Sequence, residues 1–109
     1  MKTGTYILIM ICAELTIVPI GTSNTSISKY VAAALDALEK TGIKYEVTGM
    51  GTVIESEDPG KLFDAVKMAH EAVFNLGADR VDTYLKIDDR RDKEKSLKQK
   101  VVSVKEKLA

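Results

Sequence analysis

The chain begins with a long apolar and β-branched stretch whose positions alternate between two faces. From Tyr6 to Val18 the odd-numbered positions are apolar, whereas the even-numbered positions become polar at Glu14 and Thr16. This alternation predicts a central β-strand with one fully buried face. Pro19 is expected to end the strand, because proline cannot donate a hydrogen bond to a sheet ladder.

Two helical patterns and three shorter alternating segments follow the first strand. Helices are indicated where apolar residues recur every three or four positions and a glycine follows, and strands where apolar and polar residues alternate between turns. In chain order the predicted elements are a helix over Ile27–Lys40, strands over Lys44–Thr48 and Thr52–Ser56, a helix over Lys61–Leu76 and a strand over Arg80–Asp88.

The remaining C-terminal segment is highly charged. Asp89–Ala109 carries 8 basic and 4 acidic side chains. Its apolar residues recur at the spacing of one helical face, at Leu97, Val101, Val104 and Leu108. The segment is therefore predicted to be a helix with a thin apolar seam, which must pack against other surfaces to be stable.

The order of elements predicts an α+β fold of the ferredoxin-like βαββαβ type. In this sandwich a four-stranded antiparallel sheet carries two helices on one face, and here an extra C-terminal helix is added. We expect a single domain over residues 1–109, with a core over about 5–88 and a helical tail over about 92–108. No predicted element covers the second face of the sheet, where Leu8, Met10 and Cys12 would form an apolar patch. Such patches mark interfaces, so we expect self-association through this face.

Composition excludes several classes of function. The 16 basic and 16 acidic side chains give no net charge, so neither nucleic acid nor an anionic membrane surface is an expected partner. One cysteine and one histidine cannot form an internal disulfide, a classical zinc site or a CxxC redox pair. Cys12 is predicted to be inert packing and His70 a half-buried structural histidine. No catalytic constellation is visible, so we expect neither an enzyme nor a cofactor.

The N-terminal apolar run superficially resembles a signal peptide, since it follows Lys2. Glu14 and the β-branched residues after it continue the strand pattern without a small-residue cleavage site. The run is also shorter than the roughly 20 residues that a membrane helix needs. We therefore expect a buried strand and a cytoplasmic protein.

Polar residues on the uncovered face of the predicted sheet are candidates for a ligand pocket. A carboxylate can accept two hydrogen bonds from an amino-substituted nitrogen heterocycle, and a tyrosine ring beside it can stack on the heterocycle. The candidates are Glu14, Thr16, Glu46, Thr48, Glu55, Tyr84 and Lys86. The alternative is that these side chains are merely solvated or paired across strands. The hydroxyl-rich turn over Thr22–Ser26 is either an anion cradle or an ordinary helix cap.

Several segments resemble one known family of small proteins. They are residues 14–22 (ELTIVPIGT), residues 45–47 with the hairpin over 50–55 (MGTVIE), and residues 80–81 with 86–91 (KIDDRR). Together they are similar, in order and over nearly the whole chain, to the small thiamine-binding protein family. Ser56 departs from the glycine that often follows the hairpin glutamate in that family.

The resemblance implies a ferredoxin-like fold, dimers that pair into homotetramers, and non-catalytic binding of thiamine or its hydroxymethylpyrimidine moiety at or near a subunit interface. By position, the resemblance implies ligand contacts for Thr16, Thr52 and Glu55. Glu14, Thr22, Tyr84 and Lys86 join this predicted site from the expected geometry.

Two other functions remain open from the sequence. A regulatory amino-acid-binding module of the ACT type shares the βαββαβ order and binds at interfaces. A purely structural oligomer without a ligand would also account for the uncovered sheet face.

Overall fold

The computed structural model describes residues 10–108 and contains one four-stranded sheet and three helices within them. The elements are β1 (Met10–Ile20), α1 (Ser28–Thr41), β2 (Lys44–Val47), β3 (Thr52–Ser56), α2 (Pro59–Asn75), β4 (Arg80–Arg90) and α3 (Leu97–Lys105). The strand order is β2-β3-β1-β4, with antiparallel pairing throughout. The ferredoxin-like α+β arrangement is thereby confirmed.

The two faces of the sheet follow from the register of β1. Cross-strand partners share a face, and Leu15 pairs with Thr52 on one side and with Leu85 on the other. This face packs against α1 and α2, and its residues Ile11 and Ile54 are almost fully buried. The even-numbered residues of β1 therefore lie on the opposite face, which we call the open face.

The end of β1 differs from its prediction. The strand continues through Pro19 to Ile20, so Pro19 does not end it. Pairing with β3 stops at Leu15, whereas pairing with β4 continues to Ile20. Beyond Leu15, β1 is therefore bonded on one side only, and proline is tolerated in such an edge. The predicted start of the strand at Tyr6 lies outside the described residues.

Helices α1 and α2 begin and end close to their predicted limits, whereas α3 is shorter than the predicted tail over about 92–108 and covers only Leu97–Lys105. Gly42 ends α1 in a left-handed conformation, with φ of 75°, and its N–H donates to the carbonyl of Glu39. Asp58 caps α2, because its carboxylate accepts the Gly60 N–H at 2.8 Å.

His70 has the structural role predicted for it. Its Nδ1 lies 2.6 Å from the Thr83 hydroxyl of β4, and its ring meets the edge of Phe74 at 5.2 Å between centroids. The half-buried imidazole thus ties α2 to β4.

The open face is partly covered, contrary to the expectation. The segment entering α3 crosses one end of it, where Cys12 is buried at 4% exposure and Met10 is half-buried. Leu8 lies outside the described residues. The predicted apolar seam remains mostly exposed, at Val101 and Val104 of α3 and at Leu108 beyond its end, because only the first turn of that helix reaches the sheet. Within residues 10–108, no helix combines the length and apolarity needed to cross a membrane.

Candidate functional site

Four of the predicted site residues form a compact group on the open face. Glu14 of β1 lies directly opposite Lys86 of β4, and two residues further on Thr16 lies opposite Tyr84. Directly opposed residues in an antiparallel pair have Cβ atoms about 5 Å apart. We call these four residues the polar patch. It places a carboxylate, an ammonium, a hydroxyl and an aromatic ring side by side.

The polar patch faces solvent. Glu14 and Lys86 are exposed, Thr16 is half-buried, and Tyr84 is 62% exposed. The phenol ring of Tyr84 is therefore available to stack on a flat ligand, and the charged groups of Glu14 and Lys86 are available to interact with it. A hydrated patch of this kind can bind a cation or a polar ring at its surface.

A cavity of about 180 Å³ adjoins the patch at the end of the sheet. It forms because the first residue of β3 lies opposite Leu15, whereas β1 continues beyond Leu15. This difference leaves a notch between β1 and the β2–β3 hairpin. Helix α1 closes the notch from the helix side. The lining combines apolar side chains of α1 and β1 with three threonines and two glycines, namely Thr16, Thr48, Thr52, Gly49 and Gly51. We call it the hairpin cavity.

The turn between β2 and β3 gives the hairpin cavity a fixed wall. The Thr48 hydroxyl accepts the N–H groups of Met50 and Gly51 and donates to the Gly51 carbonyl at 2.9 Å. Gly51 passes so close to β1 that a Cβ on it would lie 3.0 Å from the Thr16 hydroxyl and 3.2 Å from the Leu15 carbonyl. A glycine is needed here for close approach of the two backbones.

Thr52 and Thr16 are brought to the same cavity from different faces. Thr52 pairs with Leu15, so it belongs to the helix-covered face and is only 7% exposed. Thr16 lies on the open face and is a member of the polar patch. Both line the hairpin cavity, so two hydroxyl-bearing residues reach one small space.

Glu55 has a different environment from the patch. It lies on the open face opposite Cys12, but its side chain is only 6% exposed. One carboxylate oxygen accepts the backbone N–H of Leu97 at 2.8 Å, and the other lies 3.2 Å from Lys44 Nζ. Glu55 thus fastens the start of α3 to the sheet. Both carboxylate oxygens thus have partners within the chain. The predicted role of Glu55 as a ligand contact stays a prediction.

The segment that Glu55 fastens to the sheet also covers Cys12. The Cys12 thiol lies 3.5 Å from the Lys95 carbonyl, just before α3. Burial raises the pKa of the Cys12 thiol, Lys100 nearby opposes the rise, and Glu55 and Asp88 add to it. A neutral thiol is a poor nucleophile, so the prediction of inert packing agrees with this environment.

Thr22 lies apart from the other candidates. It follows the end of β1, where its hydroxyl donates to the Asn24 carbonyl at 2.9 Å. It lines a more polar depression of about 480 Å³ next to the start of α1. The structure does not bring it to the polar patch or to the hairpin cavity.

Sequence reasoning missed the contribution of α1 to the cavity, whereas Thr48 and Thr52 of the hairpin were among its candidates. Val31 and Leu35 of α1 line it, although their spacing indicated only core packing. The close approach of the hairpin to β1 did have a signal in the sequence, namely the two glycines around Met50. A glycine in an alternating segment indicates close approach to another backbone.

A βαββαβ sandwich with a small, mostly apolar cavity beside a cluster of polar side chains has the features of a small-molecule-binding domain. The chain belongs to the thiamine-binding protein family, whose model matches residues 13–105. The resemblance noted in the sequence is thereby confirmed. The name of the family describes binding rather than catalysis.

Relatives and solved structures agree with this assignment. The chain is 60% identical over 99 residues to a UPF0045 protein of Methanothermobacter thermautotrophicus, covering 91% of this chain and 100% of that one. It is similar to the crystal structure of the hypothetical protein MJ1052 of Methanocaldococcus jannaschii, with 40% identity, a TM-score of 0.80, and coverage of 89% and 97%.

A more distant structure shares the fold. It is that of a Thermotoga maritima protein proposed to act in thiamine biosynthesis or salvage, with 21% identity, a TM-score of 0.73, and coverage of 87% of this chain and 98% of that one.

Proposed function

We propose that this protein binds thiamine, or its hydroxymethylpyrimidine moiety alone, where the hairpin cavity meets the polar patch. The observation that carries the proposal is the position of Thr16, which lines the cavity and belongs to the patch. Membership of the thiamine-binding family supports this choice of ligand.

The size of the hairpin cavity suits one six-membered ring. Its volume of about 180 Å³ is similar to that of a cavity of about 150 Å³ known to bind benzene. A pyrimidine ring has nearly the same size and adds nitrogen atoms and an amino group. The threonine hydroxyls of Thr16 and Thr52 both donate and accept hydrogen bonds, so they suit this mixed pattern.

The remainder of thiamine is a thiazolium cation, which the polar patch would hold outside the cavity. The Glu14 carboxylate supplies the opposite charge, and the exposed ring of Tyr84 supplies a surface for cation–π contact. Lys86 opposite Glu14 offsets part of this attraction. Binding of the cation is therefore expected to be weaker at high salt, whereas binding of the neutral pyrimidine alcohol is not.

We also propose the wider role that the family resemblance implies. The protein acts without catalysis and without a cofactor, in the cytoplasm, as dimers that pair into homotetramers, with the ligand near a subunit interface. The supporting observations are the family name, the inert environment of Cys12, and the apolar side chains of α3 left exposed in the single chain.

Calorimetry with thiamine, hydroxymethylpyrimidine and a set of amino acids tests the ligand class. Binding of either pyrimidine compound supports the proposal. Binding of amino acids alone would support the ACT-type alternative, and no heat with any compound at millimolar concentration would leave the structural oligomer.

The location is tested with Thr16→Val, which removes the hydroxyl and preserves the shape of the side chain. Loss of one hydrogen bond should weaken binding about tenfold. Thr25→Val is the matched control, because Thr25 is exposed and does not line the cavity. Equal affinities of the two variants would place the ligand elsewhere.

A further inference from the structure

The hydroxyl-rich turn after β1 lies in the polar depression of about 480 Å³ that Thr22 lines. Residues from the end of β1, the start of α1 and the loop that enters β4 surround this space. It shares no lining residue with the hairpin cavity or with the polar patch. We call it the turn depression, and it is a separate candidate site.

Helix α1 begins at the turn depression without a side-chain cap. The residue before its first turn is Ile27, whose side chain cannot accept a hydrogen bond. The side-chain carbonyl of Asn24 is already used within the turn, where it accepts the Ser26 N–H at 2.9 Å. Within residues 10–108, the N–H groups of Ser28 and Lys29 therefore have no acceptor. The turn is thus not an ordinary helix cap, which was one of its two interpretations.

The hydroxyl of Tyr30 indicates a ligand independently of the helix terminus. Tyr30 is only 8% exposed and packs in the core, yet it lines the turn depression. Its hydroxyl has no hydrogen-bond partner within residues 10–108, whereas every fully enclosed polar side-chain atom in that part of the chain has one. The hydroxyl is therefore not enclosed, and the turn depression is the space that it reaches. A buried tyrosine hydroxyl normally has a partner, so this space is suited to supply one.

The charges around the turn depression favour an anion. The Nζ atom of Lys29 lies 5.1 Å from the centroid of the Tyr30 ring, which holds the ammonium group beside the same side chain. The first turn of α1 contains no acidic residue, and the positive end of the helix dipole adds to the attraction. Asp79 also lines the depression and opposes an anion, but it is exposed, so solvent screens its charge.

We propose that the turn depression binds a phosphate group, either as the free anion or as the monoester of a small alcohol. The N–H groups of Ser28 and Lys29, the Lys29 ammonium and the Tyr30 hydroxyl donate hydrogen bonds to the phosphate oxygens. Unused N–H groups at a helix N-terminus commonly bind phosphate. The alcohol part lies beside the hydroxyls of Ser23 and Ser26, which also line the space. The inference does not depend on the proposed thiamine site.

Titration with inorganic phosphate and with glycerol phosphate, followed by amide NMR shifts, tests the proposal. The Ser28 and Lys29 amides should shift and saturate, whereas the amides of Gly60 and Lys61, at the capped start of α2, should not. Tighter binding of glycerol phosphate assigns the site to a monoester, and tighter binding of inorganic phosphate assigns it to the free anion. The proposal is overturned if neither compound shifts Ser28 and Lys29 at millimolar concentration.

Tyr30→Phe separates a ligand contact from a structural role. Without phosphate, removing a hydroxyl that has no partner should not lower the midpoint of denaturant unfolding. Phosphate affinity should fall about tenfold, because one hydrogen bond to a charged group is lost. Tyr45→Phe is the matched control and should keep the affinity, since Tyr45 donates to Glu39 and does not line the depression. Unchanged affinity of Tyr30→Phe, or a lower midpoint without phosphate, contradicts the proposal.

Two charge changes should act on phosphate binding in opposite directions. At low salt, Lys29→Gln should weaken it about threefold, and Asp79→Asn should strengthen it by about the same factor. Lys61→Gln is the matched control for the lysine, because Lys61 is exposed in the first turn of α2, which Asp58 already caps. It should bind like the wild type. Wild-type affinity in both Lys29→Gln and Asp79→Asn would show that the anion does not bind in the turn depression.

Discussion

The carboxylate of Glu55 accepts a hydrogen bond from the backbone N–H of Leu97, 42 residues later in the chain and 2.8 Å away. Lys44 holds the other oxygen, and Lys100 of α3 pairs with Asp88 of β4. A buried acidic side chain at the start of a helix satisfies a free N–H and interacts favourably with the helix dipole. This contact decides where the C-terminal segment lies.

Replacing Glu55 should release the start of α3 and uncover Cys12. Hydrogen bonds to charged groups contribute about 1.5–3 kcal/mol. We expect Glu55→Ala to raise the rate of Cys12 labelling by a disulfide reagent at least about tenfold. Glu57→Ala is the control, because Glu57 is exposed just beyond β3. Equal labelling of both variants would contradict the contact.

The Cys12 thiol should titrate above the ordinary range of a cysteine, because burial raises its pKa. Between the unfolded and folded pKa values the folded chain holds the extra proton, so this group's contribution to stability is lost as pH rises through that window. The iodoacetamide rate should therefore have a higher pH midpoint for the native chain than for the chain in guanidinium. Coincident midpoints would show that the thiol is not buried.

Gly51→Ala should destabilise the contact between the hairpin and β1. The added methyl would meet the Leu15 carbonyl, which is backbone and cannot turn aside. Overpacking of this kind costs about 1–3 kcal/mol, measurable as a lower midpoint in denaturant unfolding. Gly49→Ala is the matched control, because a Cβ on Gly49 would meet nothing within 4 Å. Equal midpoints for the two variants would refute the close approach.

Glu14→Gln should affect the binding of the thiazolium part of thiamine and not that of the pyrimidine part. Removing the carboxylate charge weakens attraction for the thiazolium cation, and for an exposed site we expect about a threefold loss of thiamine affinity at low salt. Affinity for uncharged hydroxymethylpyrimidine should be unchanged. Calorimetry with both ligands measures this difference. The control is Glu46→Gln, because Glu46 lies on the open face in β2, two strands away from Glu14. This variant should alter neither affinity.

Local sequence patterns were sufficient for most of the architecture. Alternation in β1 and β4 assigned their faces, and Gly42 marked the end of α1, because these features depend on neighbours a few residues apart. The same alternation placed Glu14, Thr16, Tyr84 and Lys86 on one face. The prediction at Pro19 was wrong, since whether proline ends a strand depends on which side of that strand is already paired.

The sequence by itself determined the element order, the two faces of the sheet and the face on which the polar patch residues lie, because side-chain periodicity is a property of each segment alone. Only the tertiary structure decided that Glu55 holds α3, that Thr22 lies apart, and that a cavity opens beside Thr16. These outcomes depend on how far β3 extends along β1 and on where a distant helix begins. Such long-range distances are set by the packing of the whole chain and leave no periodic signal in any one segment.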